Sequence, residues 1–335
     1  MPATSQTQSE ILKFLKEGEG NFVSGAILAE KLGISRTGIW KHIQKLKTMG
    51  YDITTHPKEG YKLVEVPDSL ALKEIEPHLA TEWLGRSYHY LEETESTNDH
   101  ALLLAAQGFP HGTTVVAEQQ SKGRGRLRRE WVSLPQRGIY MSILLRTPLP
   151  VRMAPQTTSV AALALVKVLR TRFELPASIK WPNDVLISGK KTAGILTEMQ
   201  SDQDYSRFIV IGIGINVNYS EQELAGPFRY PATSVSIEMG AAVKRQHLLL
   251  EFLQQFEKDY QEFLEKGFSN LIPQLEKLSG ILGRTVTIVC GDRELKGKAQ
   301  GFTPEGALML LQDDGGLETV WVGDVVRVEG ATQPH

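Results

Sequence analysis

Gly123-Arg124-Gly125-Arg126, with Arg129 and Trp131 close behind, is a stretch that no core could need. Glycines make its backbone permissive. Each arginine presents a planar fork of donors suited to carboxylates and phosphates. Further on comes Lys180-Trp181-Pro182-Asn183-Asp184. The residue before a proline is driven out of the helical region, so Trp181 is extended or in a turn. Asn183 and Asp184 then present two polar side chains at the mouth of a strand. Together the two segments imply a site that holds a small acid and a nucleotide phosphate side by side.

The elements that must position these residues follow from the pattern of apolar and small residues. Residues 91–94 read as the end of a strand, and Ser96-Thr97-Asn98 opens a helix that runs to Ala106. Small polar residues at a helix start either cap it or serve a ligand. Residues 115–118 are a short buried strand leading to Gln120 and the glycine–arginine loop. Residues 139–145 are an apolar strand, and 157–173 an amphipathic core helix. Residues 185–187 and 192–196 form a hairpin whose turn carries Lys190 and Lys191. Either lysine is a solvated turn residue or a cation for the site, and Lys190 suits the solvated role better. Residues 209–217 alternate isoleucine and glycine. Glycine weakens a strand unless something must approach the backbone closely. A ligand ring or adenine is the expected guest. Residues 247–265 and 271–278 read as packing helices.

Two flanking segments differ in character. Residues 8–66 read as helix, helix, turn, helix and a short hairpin. Ile11, Leu12 and Leu15 mark the first helix. Ile27, Leu28 and Leu32 mark the inner face of the second. Ile39, Ile43 and Leu46 mark that of the third, with Ser35 as its N-cap and Gly50 at its end. The outer face of the third helix carries Thr37, Lys41, Gln44, Lys45 and Thr48, with Arg36 at its start. That is the arrangement of a helix-turn-helix with a wing. Lysines hold phosphates, and Gln and Thr reach base edges. Residues 1–66 hold nine Lys and Arg against seven Asp and Glu, so DNA affinity would rest on paired half-sites rather than on bulk charge. From Leu282 onward, short segments alternate in period two between Gly- and Pro-containing turns, the pattern of a small SH3-like barrel.

Composition sets outer limits. A chain of 335 residues suits two or three domains. A net charge of −2 argues against a protein that coats nucleic acid, yet leaves room for one DNA-reading module. The single cysteine, Cys290, cannot form an intramolecular disulfide, which fits a reducing cytoplasm. It reads as a small strand hydrophobe. Met1 to Gln6 lacks the basic and apolar regions of a secretory leader. No apolar run approaches the ~20 residues of a membrane span.

The glycine–arginine loop and the segment ending at Asp184, in this order between a winged helix and a strand-rich tail, resemble the biotin–protein ligases. The resemblance is to the two-function kind that also represses the biotin operon, and it covers nearly the whole chain. It implies an α+β protein. A winged helix-turn-helix DNA-binding domain would span residues 1–66. A central mixed α/β ligase domain, class II synthetase-like, would span 67–278, and a C-terminal SH3-like β-barrel 279–335. The implied activity joins biotin and ATP, with Mg²⁺, into biotinyl-5′-AMP. Biotin then passes to a lysine of the biotin carboxyl carrier protein domain of a biotin-dependent carboxylase. The implied regulator is a homodimer that forms when biotinyl-AMP is bound and sits on operator DNA. The alternative is a ligase whose winged helix no longer represses. A lipoate or octanoate transferase could share the catalytic fold, but this pairing of motifs is not expected of it.

The same resemblance assigns residues. Lys191, Arg126 and Asp184 are the catalytic candidates. Ser96, Thr97, Asn98, Gln120, Gly123, Arg124, Gly125, Arg126 and Lys191 are those for biotin. Arg124, Arg129, Trp131, Asn183 and Asn216 are those for ATP and the adenylate, with Trp131 either stacking on adenine or anchoring the loop. Arg36, Thr37, Lys41, Gln44 and Lys45 are those for DNA, Arg327 is the tail's candidate contact, and no protein-held metal is expected. The chain departs from the family pattern Gly-Arg-Gly-Arg-x-Gly-Arg-x-Trp at one place: Arg128 stands where that pattern has its third glycine.

Overall fold

A computed structural model describes residues 6–226 and 230–329. Met1 to Ser5, part of the segment read above for a secretory leader, lie outside the described residues. The chain divides into two compact units, Met1–Ser69 and Leu70–His335.

In the first unit, Gln6–Glu17 (α1), Gly25–Leu32 (α2) and Arg36–Thr48 (α3) bury Ile11, Leu12, Leu15, Leu28, Ile39, Ile43 and Leu46 against one another. Ser24 and Ser35 cap α2 and α3 by accepting from Ala26 N and Gly38 N, satisfying donors that a helix start leaves orphaned. Asp52–His56 (β1) and Gly60–Glu65 (β2) form the antiparallel wing. β2 runs on through Val64 and Glu65. One expectation fails. Ile27 is 50% exposed, because only Leu28 and Leu32, four apart, share the inward stripe of this short helix.

The second unit opens with a short helix, Leu72–Ile75 (α4), and then builds a seven-stranded sheet. Its strands are Tyr88–Thr94 (β3), Thr114–Gln120 (β4), Gly138–Leu145 (β5), Ala177–Lys180 (β6), Asp184–Ile187 (β7), Lys190–Asp202 (β8) and Tyr205–Asn216 (β9). They lie in the order β3-β4-β5-β9-β8-β7-β6, with β3–β4 parallel and the other pairs antiparallel. Period two divides the side chains between the faces. On β5 and β9, Ile139, Met141, Ile143, Ile209, Ile211, Ile213 and Ile215 face the main core. There they meet Ala154–Thr171 (α6) and Arg245–Lys266 (α8). Leu144 and Val210 face the other way, where Thr97–Ala106 (α5) packs with Ala101, Leu104 and Ala105. Small residues continue on that second face as Ser142, Gly212 and Gly214. This is the face that the candidate site occupies.

Val235–Met239 (α7) and Ile272–Lys277 (α9) complete the helices. The tail is a five-stranded antiparallel sheet of Thr285–Cys290 (β10), Arg293–Phe302 (β11), Leu308–Leu311 (β12), Leu317–Val320 (β13) and Asp324–Val328 (β14), in the order β13-β12-β11-β10-β14. Its core of Val286, Ile288, Leu295, Ala299, Leu308 and Leu310 also takes in Trp181. Trp181 thus fastens the tail beside Asn183 and Asp184, a packing role that its place in the motif did not announce.

Candidate active site

A cavity of about 840 Å³ opens on the small-residue face of the large sheet, within the range of small-molecule sites. Ser96, Thr97, Asn98, Gln120, Arg124, Gly125, Arg126, Arg129, Trp131, Asn183, Asp184, Lys191 and Asn216 all line it. Gly123 does not. It packs beneath the loop, where a Cβ would fall 2.8 Å from Ser133 Oγ and collide with the Trp131 carbonyl.

The helix start at Ser96 is more than a cap. Ser96 makes no side-chain capping bond. Thr97 N and Oγ1 donate to Gln120 Oε1 at 2.8 and 3.1 Å. Ser142 Oγ donates to Thr97 Oγ1 and Asn98 Oδ1 at 2.8 and 2.6 Å. Asn98 Nδ2 donates to Glu198 Oε2 at 2.6 Å. These side chains hold one another in place, as a pocket for a small polar ring requires.

Three of the loop's arginines meet carboxylates. Arg124 pairs both terminal nitrogens with Asp99 at 2.6 Å and also reaches Glu198. Hydrogen bonding to Asp99, with Glu198 adding to it, holds its pKa above the ordinary value against the opposing effect of burial. Arg126 and Arg129 pair with the two oxygens of Asp324 at 3.1 and 2.6 Å. Glu198 and Asp324 were not foreseen, and nothing local in the sequence marks them. Arg327, the expected tail contact, is exposed and does not line the cavity, whereas Asp324 and Val325 do.

Asp184 sits between two lysines. Its Oδ1 is 2.6 Å from Lys191 Nζ, a charge contact rather than an aligned hydrogen bond, and its Oδ2 is 3.4 Å from Lys180 Nζ. Burial alone would raise the carboxyl pKa, but Lys191 and Lys180 outweigh it and hold it below the ordinary value. Lys180, absent from the expected site although it begins the motif, is 5% exposed and 3.6 Å from the Tyr230 ring centre. Burial pushes its pKa down to about 8, with Lys191 adding to the effect and Asp184 opposing it. The folded pKa lies below the unfolded one, so between about 8 and 10.5 the unfolded chain binds the extra proton and stability rises with pH. The charge Lys180 offers the site is present below about 8 and lost above it. Turnover is therefore expected to fall as pH rises through about 8, and Lys180→Met to flatten that limb. A pH–rate profile in which the variant keeps the same limb contradicts this.

Trp131 packs against the sheet and also lines the cavity. Its indole lies on Gly194 and Gly214, where a Cβ would come within 3.0 and 2.5 Å of the ring. Gly212 likewise makes room for the Asn98 amide. The glycines of β9, expected to admit a ligand ring, thus receive the protein's own flat groups. Trp131 Nε1 is buried and has no hydrogen-bond partner among the described residues.

Arg128 lies in the left-handed region at φ 57°, directly after Leu127 at φ 55°. A side chain there costs roughly 1–2 kcal/mol, and a glycine costs ~0.5–1 kcal/mol in unfolded-chain entropy. Relief exceeds cost, so Arg128→Gly is expected to hold or slightly raise the melting temperature, while β-branched Arg128→Val lowers it. Thermal unfolding of both variants checks this, and a clear drop for Arg128→Gly contradicts it.

In the first unit, Arg36, Thr37, Lys41 and Lys45 are exposed on α3, with Gln44 half-buried beside them. Trp40, missed from sequence, is 49% exposed on the same helix.

Residues 7–62 match the HTH domain family. Residues 90–216 match the Biotin/lipoate A/B protein ligase family, and 281–328 the Biotin protein ligase C terminal domain. The chain is 36% identical over 321 residues to the bifunctional ligase/repressor BirA of Bacillus subtilis, covering 96% of this chain and 98% of that one. This chain belongs to the bifunctional biotin ligase/repressor family. BirA of Escherichia coli is 32% identical over 312 residues, 93% of this chain and 94% of that one. The biotin protein ligase of Aquifex aeolicus, solved in complex with biotin and ATP, superimposes with a TM-score of 0.62 at 30% identity. That match covers 71% of this chain and 97% of the Aquifex chain.

Proposed function

We propose that this protein makes biotinyl-5′-AMP from biotin and ATP, passes biotin to a lysine of a carboxylase carrier domain, and represses biotin genes when the adenylate is bound. The observation that carries the reading is the convergence on one cavity of Arg124, Arg126, Arg129 and Lys191, in a chain matched by BirA along nearly its whole length. We take residues 1–66, 67–278 and 279–335 as the DNA-binding, catalytic and tail segments.

A carboxylate carbon is a poor electrophile, so the acid must first be activated. A biotin carboxylate oxygen attacks the α-phosphorus, a P–O bond forms, and the bond to the bridging oxygen of pyrophosphate breaks. Arg124, Arg126 and Lys191 offset the negative charge that gathers there. Among the described residues no group of three His, Cys, Asp or Glu could cage a metal ion. Mg²⁺ brought with ATP would supply further positive charge at the phosphates. Ser96, Thr97, Asn98 and Gln120 offer both donors and acceptors for the ureido ring. In the second step the neutral acceptor amine attacks the acyl carbon, the bond to AMP breaks, and the proton shed by the nitrogen passes to the departing AMP phosphate or to water. The lowered pKa of Asp184 suits orienting an ammonium by charge and argues against its accepting that proton.

For repression, two copies place Arg36, Thr37, Lys41, Gln44 and Lys45 on two half-sites. A coupling of a few kcal/mol between adenylate and dimer suffices. No helix among the described residues is long and apolar enough to cross a membrane. ATP, the carboxylase and DNA meet in the cytoplasm, where we place the protein. The test is an anisotropy titration of the gene's own upstream DNA, with and without biotin plus MgATP, alongside sedimentation. Tighter binding and a shift to dimer with both substrates support the reading. Equal or absent binding in both conditions leaves a ligase with a silent winged helix.

A further inference from the structure

We infer that Asp324, from the first position of β14 in the tail, is a positioning residue that ties the glycine–arginine loop to the tail and aims Arg126 at the adenylate phosphate. The inference rests on the proposal that Arg126 serves that phosphate.

One carboxylate bridges two arginines here. Asp324 Oδ1 meets Arg126 Nη1 at 3.1 Å and Oδ2 meets Arg129 Nη2 at 2.6 Å. Arg126 Nη1 also donates to the Gly323 carbonyl at 3.1 Å and to Asn183 Oδ1 at 3.4 Å. All three contacts of Arg126 leave through a single nitrogen. Among the described residues, Nε and Nη2 make no hydrogen bond, so one edge of the fork is committed to the protein and the other is left for an anion. A guanidinium fixed at one edge loses little further freedom when the second engages.

The base of the clasp is rigid. A Cβ on Gly323 would fall 2.6 Å from Ile288 Cγ2 and 2.8 Å from Cys290 Sγ. The backbone at 323 therefore lies hard against β10, and β14 pairs with β10 through Asp324 and Val289. Asp324 is 12% exposed and Arg129 47%. The clasp is shielded at its carboxylate and open to solvent at one arginine, so added salt weakens it without unfolding it. The tail thereby gains a definite part in the first reaction: it holds the loop that keeps a hydrolysable intermediate from water.

The experiment measures release of preformed biotinyl-AMP from the full-length chain by rapid dilution. Asp324→Asn is expected to speed release roughly fivefold, the size of a coupling between neighbouring charged groups, with an unchanged melting temperature. Asp324→Glu, which keeps the carboxylate, is expected to stay near the native rate. Salt is expected to speed release from the native protein and to leave Asp324→Asn unaffected. Unchanged or slower release from a folded Asp324→Asn protein overturns the inference, as does the same salt dependence in both proteins. Arg126→Gly is run in parallel. If it also fails to leak, the assignment of Arg126 to the phosphate falls. If it leaks while Asp324→Asn does not, only the clasp falls.

Discussion

Lys191→Ala is expected to cut adenylate formation by roughly tenfold or more while biotin still binds, since ~1.4 kcal/mol at the transition state is a factor of ten. Lys191 is the second residue of β8 and projects its Nζ to within 2.6 Å of Asp184 and 5.4 Å of the Trp131 ring centre. A cation held there stabilises negative charge that builds only as the new P–O bond forms, so the loss falls on the rate rather than on biotin affinity. Removing it also leaves Asp184 with Lys180 as its remaining lysine, which costs stability at a buried carboxylate. Lys191→Met with Asp184→Asn separates the two effects, because that pair restores charge balance without restoring the cation. Pyrophosphate release at saturating biotin and ATP, with a melting curve for each variant, decides it. An unchanged rate in a folded variant removes Lys191 from the chemistry.

Arg126→Gly is expected to release its intermediate. The arginine joins the loop to Asn183, to Gly323 and to Asp324. Losing charge-assisted hydrogen bonds of ~1.5–3 kcal/mol corresponds to roughly ten- to a hundredfold faster dissociation. Freed biotinyl-AMP is a reactive mixed anhydride, so the visible sign is biotin on lysines of unrelated proteins in the same solution. Labelling confined to the proper acceptor shows that Arg126 is not what retains the adenylate.

The parts of this site that lie close together in the chain were readable from it. The spacing of glycine and arginine announced an anion site, and Lys180 to Asp184 marked its opposite wall. Helical periodicity located α3 and its polar face, and period two located the tail strands. What escaped depends on which distant segments meet. Asp324 was invisible because one aspartate in a strand-rich tail looks like any other until Arg126 and Arg129 arrive beside it. Glu198 joins Asn98 to Arg124 across three separate segments. The glycines of β9 leave room for a close approach, but sequence could not say that Trp131 and the Asn98 amide lie against them. Arg128 illustrates the converse. The chain lacks the family's glycine there, and the backbone keeps a left-handed conformation that suits glycine with an arginine in it.

The proposed chemistry requires this cavity to activate biotin with ATP before any acceptor is present. Purified protein incubated with MgATP and biotin, without a carrier domain, tests it by the mass of the extracted ligand and by pyrophosphate release. The expected product is biotinyl-AMP, with a burst of pyrophosphate that needs biotin and matches the number of protein molecules. No adenylate, or pyrophosphate release that does not depend on biotin, contradicts it.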